Sequence, residues 1–261
     1  MLNDLQILFL LAMAAMAAGA VNSVAGGGTL LTFPALTAVV TGDVANATST
    51  VALLPGSVAG AWGYRNEVIQ LKSVVALLLG PSIAGGLLGA LFVVWFPKQF
   101  ELLIPWLILV AAILFLIQPL VSRYLRKRNP EHVSKVGIGS KFGVVMFQFF
   151  VALYGGYFGA GIGILMLASL GFMAIGDIHK MNGVKTVLAS CINAASAVIF
   201  LTTPGIIHWR YATVMAVAAI IGGYVGARTA RRLPANLVRR VVIVIAFGLV
   251  VYYFWQQVRG N

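Results

Sequence analysis

Residues 85–90 of the chain read GGLLGA, and residues 222–227, which lie 137 positions further on, read GGYVGA. A glycine cluster at residues 26–28 likewise returns loosely at residues 159–163. Each half of the chain therefore carries the same two glycine motifs in the same order. An apolar chain built from two related halves is typical of a membrane transporter, in which one half moves against the other.

Composition places the chain in a membrane. Apolar residues make up 61% of it and charged residues 9%, whereas a soluble domain carries about 25% charged residues. A core of this size could not cover so much apolar surface, so lipid must cover it, and we predict an all-α polytopic membrane protein. The 18 basic residues against six acidic ones would indicate nucleic acid in a soluble protein. Here most of them lie at the ends of apolar runs, where they set orientation, so no nucleic-acid partner is expected.

Five apolar segments fill each half of the chain. In the first half they cover residues 5–24, 29–41, 45–64, 73–96 and 100–122, and in the second half residues 142–158, 162–175, 184–203, 211–229 and 237–255. We therefore predict a first repeat at residues 1–122, a basic linker at 123–141 and a second repeat at 142–258.

The second segment of each half has only 13 or 14 residues, although a straight span takes about 20. Each follows a glycine cluster, and Pro34 in the first removes a backbone donor, which bends or breaks a helix. We expect broken or re-entrant helices near the membrane midplane, where irregular backbone is tolerated only if protein or a wet cavity surrounds it. Whether these segments span or re-enter is left open.

Basic residues predict the orientation. The linker carries six basic residues against one acid, which places it on the cytoplasmic side of the membrane. Counting from it puts 15 of the 18 basic residues inside, leaves Lys98, Arg210 and Arg259 outside, and places both termini outside. The Gly-Asp pair at residues 42–43 then faces outward while its counterpart at 176–177 faces inward, so the halves are predicted to be inverted-topology repeats.

Two pairs of motifs supply the residues expected to bind a ligand. Glycine clusters expose backbone N–H groups, and a helix that begins after each would aim its positive end at an anion; close helix packing is the alternative. The runs 46–50 (NATST) and 182–186 (NGVKT) open the third segments. Helix capping accounts for one or two of these side chains, and the others are available to oxyanion oxygens. The expected substrate-binding residues are Asn22, Gly26, Gly27, Gly28, Thr29, Asn46, Thr48, Ser49, Gly159, Gly161, Gly163, Asn182, Lys185, Thr186 and Asn193.

Lys185 is the one charged side chain among the expected substrate-binding residues. By this register it lies just inside the membrane near its cytoplasmic face, and Asn193 follows eight positions later, close to the same helical face. A buried ammonium group is costly, so either it meets an anion or its long stem snorkels to the inner surface; both stay open here. The doubled GGxxGA, in contrast, is interpreted as helix packing through small residues.

The sequence shows no residues arranged for proton relay, metal binding or enzyme catalysis. No pair of carboxylates lies within a span, the three histidines lie in loops far apart, and no serine sits in a nucleophile elbow. The single Cys191 excludes a disulfide within the chain. We therefore expect no enzyme activity, no catalytic residue, no cofactor and no metal site.

Two ordered stretches resemble a known family. Residues 22–36 (NSVAGGGTLLTFPAL), followed by Gly42, residues 46–49 and Pro55, resemble the first repeat of the TauE/SafE family of sulfite and organosulfonate exporters. Residues 156–163, followed by Asn182, Lys185 and Asn193, are similar to its second repeat. The likeness covers nearly the whole chain.

The resemblance implies a polytopic inner-membrane permease that moves a small sulfur-containing anion, commonly outward. The glycine clusters and the starts of the third segments would then line its pathway. An anion channel and a non-transporting membrane scaffold are the alternatives. The identity of the anion, the direction of transport, the coupling ion and homo-oligomer formation are left open.

Overall fold

A computed structural model of the protein describes residues 3–24, 27–127, 138–172, 178–229 and 235–259. Within these ranges the chain forms eleven helices and no strand. The helices are α1 (Asp4–Val24), α2 (Thr29–Thr37), α3 (Gly42–Gly63), α4 (Arg65–Ile69), α5 (Lys72–Trp95), α6 (Pro97–Lys127), α7 (Ile138–Tyr157), α8 (Ile162–Phe172), α9 (Ile178–Thr202), α10 (Trp209–Thr229) and α11 (Ala235–Arg259).

The prediction of an all-α polytopic membrane protein is confirmed. Four helices of the described part, α1, α5, α6 and α9, are long and apolar enough to cross a membrane by length and composition. Large apolar side chains point outward on several helices, for example Phe9, Leu120, Phe150 and Val251. Such a surface would be an aggregation liability in water, and lipid tails are its natural surroundings.

The second segment of each half forms a short helix. The nine residues of α2 rise about 14 Å and the eleven of α8 about 17 Å, which is roughly half of the hydrocarbon thickness. Of the two expected effects of Pro34, a bend or a break, the break does not occur, because α2 runs through Pro34 to Thr37. The buried side chains of Leu30, Phe33 and Leu36 hold α2 in the core and offset the single missing backbone bond.

Helix boundaries differ from the predicted segments at several places, among them the start of α9, which lies at Ile178, six residues before the predicted 184. The short helix α4, which was not predicted, follows the third segment directly. The third segment itself begins at Gly42, three residues earlier than predicted. Helices α6 and α7 extend into both ends of the region assigned to the linker, whose middle lies outside the described residues.

The packing of the helices is paired across the two halves. If α1, α2, α3, α5 and α6 correspond to α7, α8, α9, α10 and α11, the contact of α1 with α10 has its counterpart in that of α7 with α5. The contact of α3 with α10 likewise matches that of α9 with α5. Corresponding helices also meet directly, α3 on α9 and α6 on α11.

Helices α3 and α9 run in opposite directions. Near the start of α3, Thr48 accepts a hydrogen bond from the backbone N–H of His208, just beyond the end of α9 (3.0 Å). Near the end of α3, Gly60 faces Thr186, which lies close to the start of α9. Inverted repeats require this antiparallel arrangement. Inversion of the whole halves stays a prediction, because residues 176–177 lie outside the described part.

The helix ends that are predicted to face outward lie at one end of the bundle. Arg210, at the start of α10, forms an exposed ion pair with Asp4 at the N-terminal end (2.9 Å). At the C-terminal end, the Tyr253 hydroxyl donates to Thr37 Oγ1 at the end of α2. The predicted register assigns all four of these residues to one side of the membrane.

Both GGxxGA motifs lie where two helices approach closely. A Cβ atom on Gly85 in α5 would lie 2.6 Å from the carbonyl oxygen of Phe149 in α7. A Cβ atom on Gly222 in α10 would overlap the carbonyl oxygen of Met16 in α1. These contacts agree with the packing interpretation, because only glycine allows backbones to come this close.

We expect Gly85→Ala to lower the thermal midpoint of the detergent-purified protein by several degrees, because the added methyl overpacks the α5–α7 contact at about 1–3 kcal/mol. The matched control is Gly143→Ala in α7, the partner helix of the same contact, since nothing lies within 4 Å of its Cβ position. Alanine favours helix there by about 1 kcal/mol, so this variant should keep or raise the midpoint. Equal midpoints for the two variants would contradict the packing interpretation.

Candidate functional site

The chain leaves helical geometry between α1 and α2 at the first glycine cluster. Gly27 has φ +95°, in the left-handed region that side-chain-bearing residues rarely adopt. The Asn22 side-chain oxygen accepts the backbone N–H of Gly28 at 2.7 Å. Gly28 is itself buried, because a Cβ there would lie 2.5 Å from the carbonyl oxygen of Ala18. Gly26 lies outside the described residues.

The second break, between α7 and α8, is built in a similar way. Gly159 and Gly161 both have φ +81°. The Tyr154 hydroxyl donates to the carbonyl oxygen of Ala160 (2.8 Å) and so supports the break from the preceding helix. Gly161 packs against Leu114 of α6.

The two breaks approach each other. Gly159 leaves a small space where a side chain would be, and Thr29 Oγ1, on the first residue of α2, lies 3.8 Å from its Cβ position. Nearby, Phe33 of α2 makes an edge-to-face contact with Phe158 (ring centroids 5.1 Å apart). Thr29 and Gly159, which were both predicted to bind substrate, therefore lie side by side. Gly163 is buried in the first turn of α8.

Three predicted residues of α3 are fully buried, and each faces a different element. Asn46 Nδ2 donates to the carbonyl oxygen of Tyr157 at the end of α7 (3.0 Å). Ser49 Oγ shares a hydrogen bond with Thr32 Oγ1 of α2 (2.6 Å). Thr48 accepts the His208 backbone N–H already described. Because α3 begins four residues before Asn46, these side chains sit in the helix interior, and capping does not explain them.

Two polar residues of α9, Thr186 and Ser190, face α3, and Ser190 is buried. Thr186 Oγ1 bonds to the carbonyl oxygen of Asn182 in its own helix (2.8 Å). One turn later Ser190 Oγ donates to the carbonyl oxygen of Ser57, where α3 and α9 cross (3.0 Å). Asn193 lies on the same helix and is half-buried. Polar side chains therefore accompany the α3–α9 crossing.

Lys185 is buried, with 4% of its surface exposed. Among the described residues, the ion pair that the structure forms joins Arg210 and Asp4, and no carboxylate lies within 4.0 Å of Lys185. Snorkelling would leave the ammonium group at the surface, which this burial disfavours. A lysine costs roughly 2.5–3.5 kcal/mol on insertion at the centre of a spanning helix and less toward its ends, and a negative partner would offset the cost of burying Lys185.

A cavity of about 540 Å³ opens at the predicted outer end of the bundle. None of the predicted substrate-binding residues lines it, and its lining includes the carboxylate of Glu101 and the hydroxyls of Thr37 and Tyr253. The cavity lies where the end of α2 meets the start of α3. Thr32 and Ser49 of these two helices are hydrogen-bonded to each other. In this conformation the predicted residues are packed against protein rather than open to this cavity.

Several contributors were not found by sequence reasoning. Tyr157 provides a carbonyl oxygen, and a backbone atom carries no residue-type signal. Thr32 lies one helical turn after Thr29, and that spacing alone could have identified it. The backbone N–H of His208 donates a hydrogen bond to Thr48, and no sequence pattern predicts this contact.

These features define a class: a polytopic helical membrane protein with two broken helices and a buried lysine that has no carboxylate within 4.0 Å among the described residues, as secondary transporters have. The chain belongs to the family described as sulfite exporter TauE/SafE, which matches residues 11–253. It is therefore a membrane transporter and not an enzyme, with a small substrate and a lipid environment.

Curated relatives agree with this assignment. A probable membrane transporter protein of Haemophilus influenzae is 27% identical over 246 residues, which cover 91% of this chain and 90% of the relative. The probable membrane transporter protein YfcA of Escherichia coli K12 is 26% identical over 235 residues (89% and 84%). A probable membrane transporter protein, ORF9, of a Sinorhizobium species is 26% identical over 256 residues (94% and 91%). No solved structure matches the chain.

The Thr32–Ser49 hydrogen bond should couple α2 to α3 by about 1 kcal/mol, within the range measured between membrane helices. We expect Thr32→Val and Ser49→Ala to be non-additive by this amount in a double-mutant cycle on the free energy of unfolding. The control cycle pairs Ser49→Ala with Thr213→Val, an exposed threonine bonded to its own backbone. Additivity in both cycles would show that the Thr32–Ser49 bond contributes nothing.

Proposed function

We propose that the protein exports a small sulfur-containing anion of the sulfite or organosulfonate class by alternating access across the bacterial inner membrane. The family description supports sulfite export, whereas the relatives' names specify only a membrane transporter. The observation that carries the proposal is the burial of Lys185 with no carboxylate near it in the described part of the chain.

An anion would compensate this charge without a proton relay. Lys185 supplies a full positive charge, and the first turn of α8, a helix that packs against α9, adds the partial positive charge of a helix N-terminus. The side-chain amides of Asn182 and Asn193 are available to donate hydrogen bonds to oxyanion oxygens, whereas the Thr186 hydroxyl donates to the Asn182 carbonyl oxygen in this conformation. The proposed site thus binds an anion through one ammonium group, one helix end and neutral donors.

Outward transport agrees with the membrane potential. An inside-negative potential favours the exit of an anion by about 2.3 kcal/mol per charge per 100 mV. The predicted orientation, with both termini outside and the basic linker inside, gives the chain 15 of its 18 basic residues on the cytoplasmic side. Anions would therefore be attracted to the side from which they leave.

Alternating access is supported by the paired packing of the helices. The contacts of α1 with α10 and of α5 with α7 are rich in glycine and present smooth backbone surfaces. Such surfaces suit two bundles that rock against each other around a fixed site. Opening on either side would uncover the α3–α9 crossing, which is packed in this conformation.

We expect Lys185→Gln to reduce sulfite counterflow in proteoliposomes more than tenfold, because the site loses its only full charge among the predicted substrate ligands. The matched control is Lys72→Gln, which removes the same charge from an exposed position at the start of α5 and should stay within about twofold of wild type. Equal counterflow for both variants would refute the role of Lys185. Uptake without stimulation by trans substrate would indicate a channel instead of a carrier.

A further inference from the structure

Asn46 presents an unused acceptor at the second helix break. Its side chain is 1% exposed, and its Oδ1 atom is buried without a hydrogen-bond partner. The amide cannot be reversed, because the carbonyl oxygen of Tyr157, 3.0 Å from Nδ2, accepts only a donor. An orphaned carbonyl oxygen in this position would repel an oxyanion. It requires a donor or a cation.

Two further oxygens face the same break. In a regular helix the Gly159 N–H would bond to the carbonyl oxygen of Gly155, but here it bonds to that of Tyr154 (3.3 Å). The carbonyl oxygen of Gly155 lies 3.2 Å from the Cβ position of Gly159, and Thr29 Oγ1 lies 3.8 Å from the same point. These two oxygens therefore border the space that Gly159 leaves open. The carbonyl oxygen of Tyr157, which accepts the Asn46 side-chain amide, belongs to the same break, two residues before Gly159.

The helix that ends at this break favours positive charge. Helix α7 has 20 residues, and its last carbonyl groups point into the break with the negative end of the helix dipole. Unwound backbone and helix C-termini at membrane depth coordinate cations in transporters with broken helices. No carboxylate contributes to this cluster of oxygens, so it lacks the negative charge that Ca²⁺ and Mg²⁺ sites normally provide.

We propose that the α7–α8 break is a binding site for a monovalent cation, formed by Asn46 Oδ1, Thr29 Oγ1 and the carbonyl oxygen of Gly155. The cation is an alkali ion such as Na⁺ or the ammonium group of a zwitterionic substrate. The expectation of no metal site considered acidic, histidine and cysteine ligands, and among the described residues no such group of three exists. Neutral oxygens form the site instead. The proposal of cation binding rests on this geometry alone. Only the coupling of cation binding to anion export rests on the proposed function.

The experiment measures thermal stability of the purified full-length protein without any anion substrate. NaCl, KCl or LiCl replaces choline chloride at constant ionic strength, so that general salt effects cancel. An alkali-ion site predicts a saturable rise of the thermal midpoint with one of these ions, because a ligand that binds only the folded state stabilises it.

Two variants and one control assign the response to these oxygens. Thr29→Val removes one ligand and should raise the apparent Kd about tenfold, and Asn46→Ala removes a second ligand and should raise it by a similar factor. Thr213→Val, an exposed threonine on α10, should behave as wild type. An unchanged Kd in both site variants would overturn the assignment even if wild type responds to Na⁺.

A second arm tests the ammonium source. Taurine and isethionate differ only in an ammonium group against a hydroxyl. Protection by taurine but not by isethionate, lost in Thr29→Val, would support the substrate's ammonium group as the occupant. The proposal is overturned if no alkali ion and no ammonium compound raises the midpoint. Failure of the anion-export proposal would appear separately, as equal counterflow of the Lys185→Gln and Lys72→Gln variants.

Discussion

Backbone N–H and C=O groups inside a bilayer have no water to bond, so every interruption of a transmembrane helix must be satisfied by protein. The two breaks of this chain meet that constraint through side chains close to them. The Asn22 side chain accepts a hydrogen bond from the Gly28 N–H, and the Tyr154 hydroxyl donates one to the Ala160 carbonyl oxygen. Asn46 reaches from α3 to the end of α7. These side chains therefore support irregular backbone, whereas other buried polar groups have no partner of suitable charge among the described residues.

Two such groups have opposite electrostatic preferences. Lys185 needs negative charge, whereas Asn46 Oδ1 and its neighbouring oxygens need positive charge or a donor. They lie on α9 and α3, on opposite sides of the point where these antiparallel helices cross at Ser57 and Ser190. Asn46 is toward the end of α3 that meets His208, and Lys185 is beside the end of α3 that carries Gly60. The proposed anion site and the proposed cation site are therefore separate sites.

Much of this arrangement was readable in the sequence, because segment length and glycine spacing report directly on helix length and breaks. The short α2 and α8 and the glycine contacts at Gly85 and Gly222 follow from those signals. The continuity of α2 through Pro34 did not, because buried neighbours decide whether a helix tolerates a lost bond. The sequence pointed to Asn46, but which end of its amide is free depends on a carbonyl 111 residues away. Long-range backbone partners of this kind leave no trace in residue type.

The central claim is that two halves of opposite topology bring their broken helices to a shared site. The most direct measurement is cysteine accessibility in intact cells, with Asp43→Cys and Asp177→Cys introduced separately into a Cys191→Ser background. We expect a membrane-impermeant maleimide to label position 43 from outside and position 177 only after the membrane is opened. Labelling of both positions from the same side would contradict the inverted arrangement and the shared site built on it.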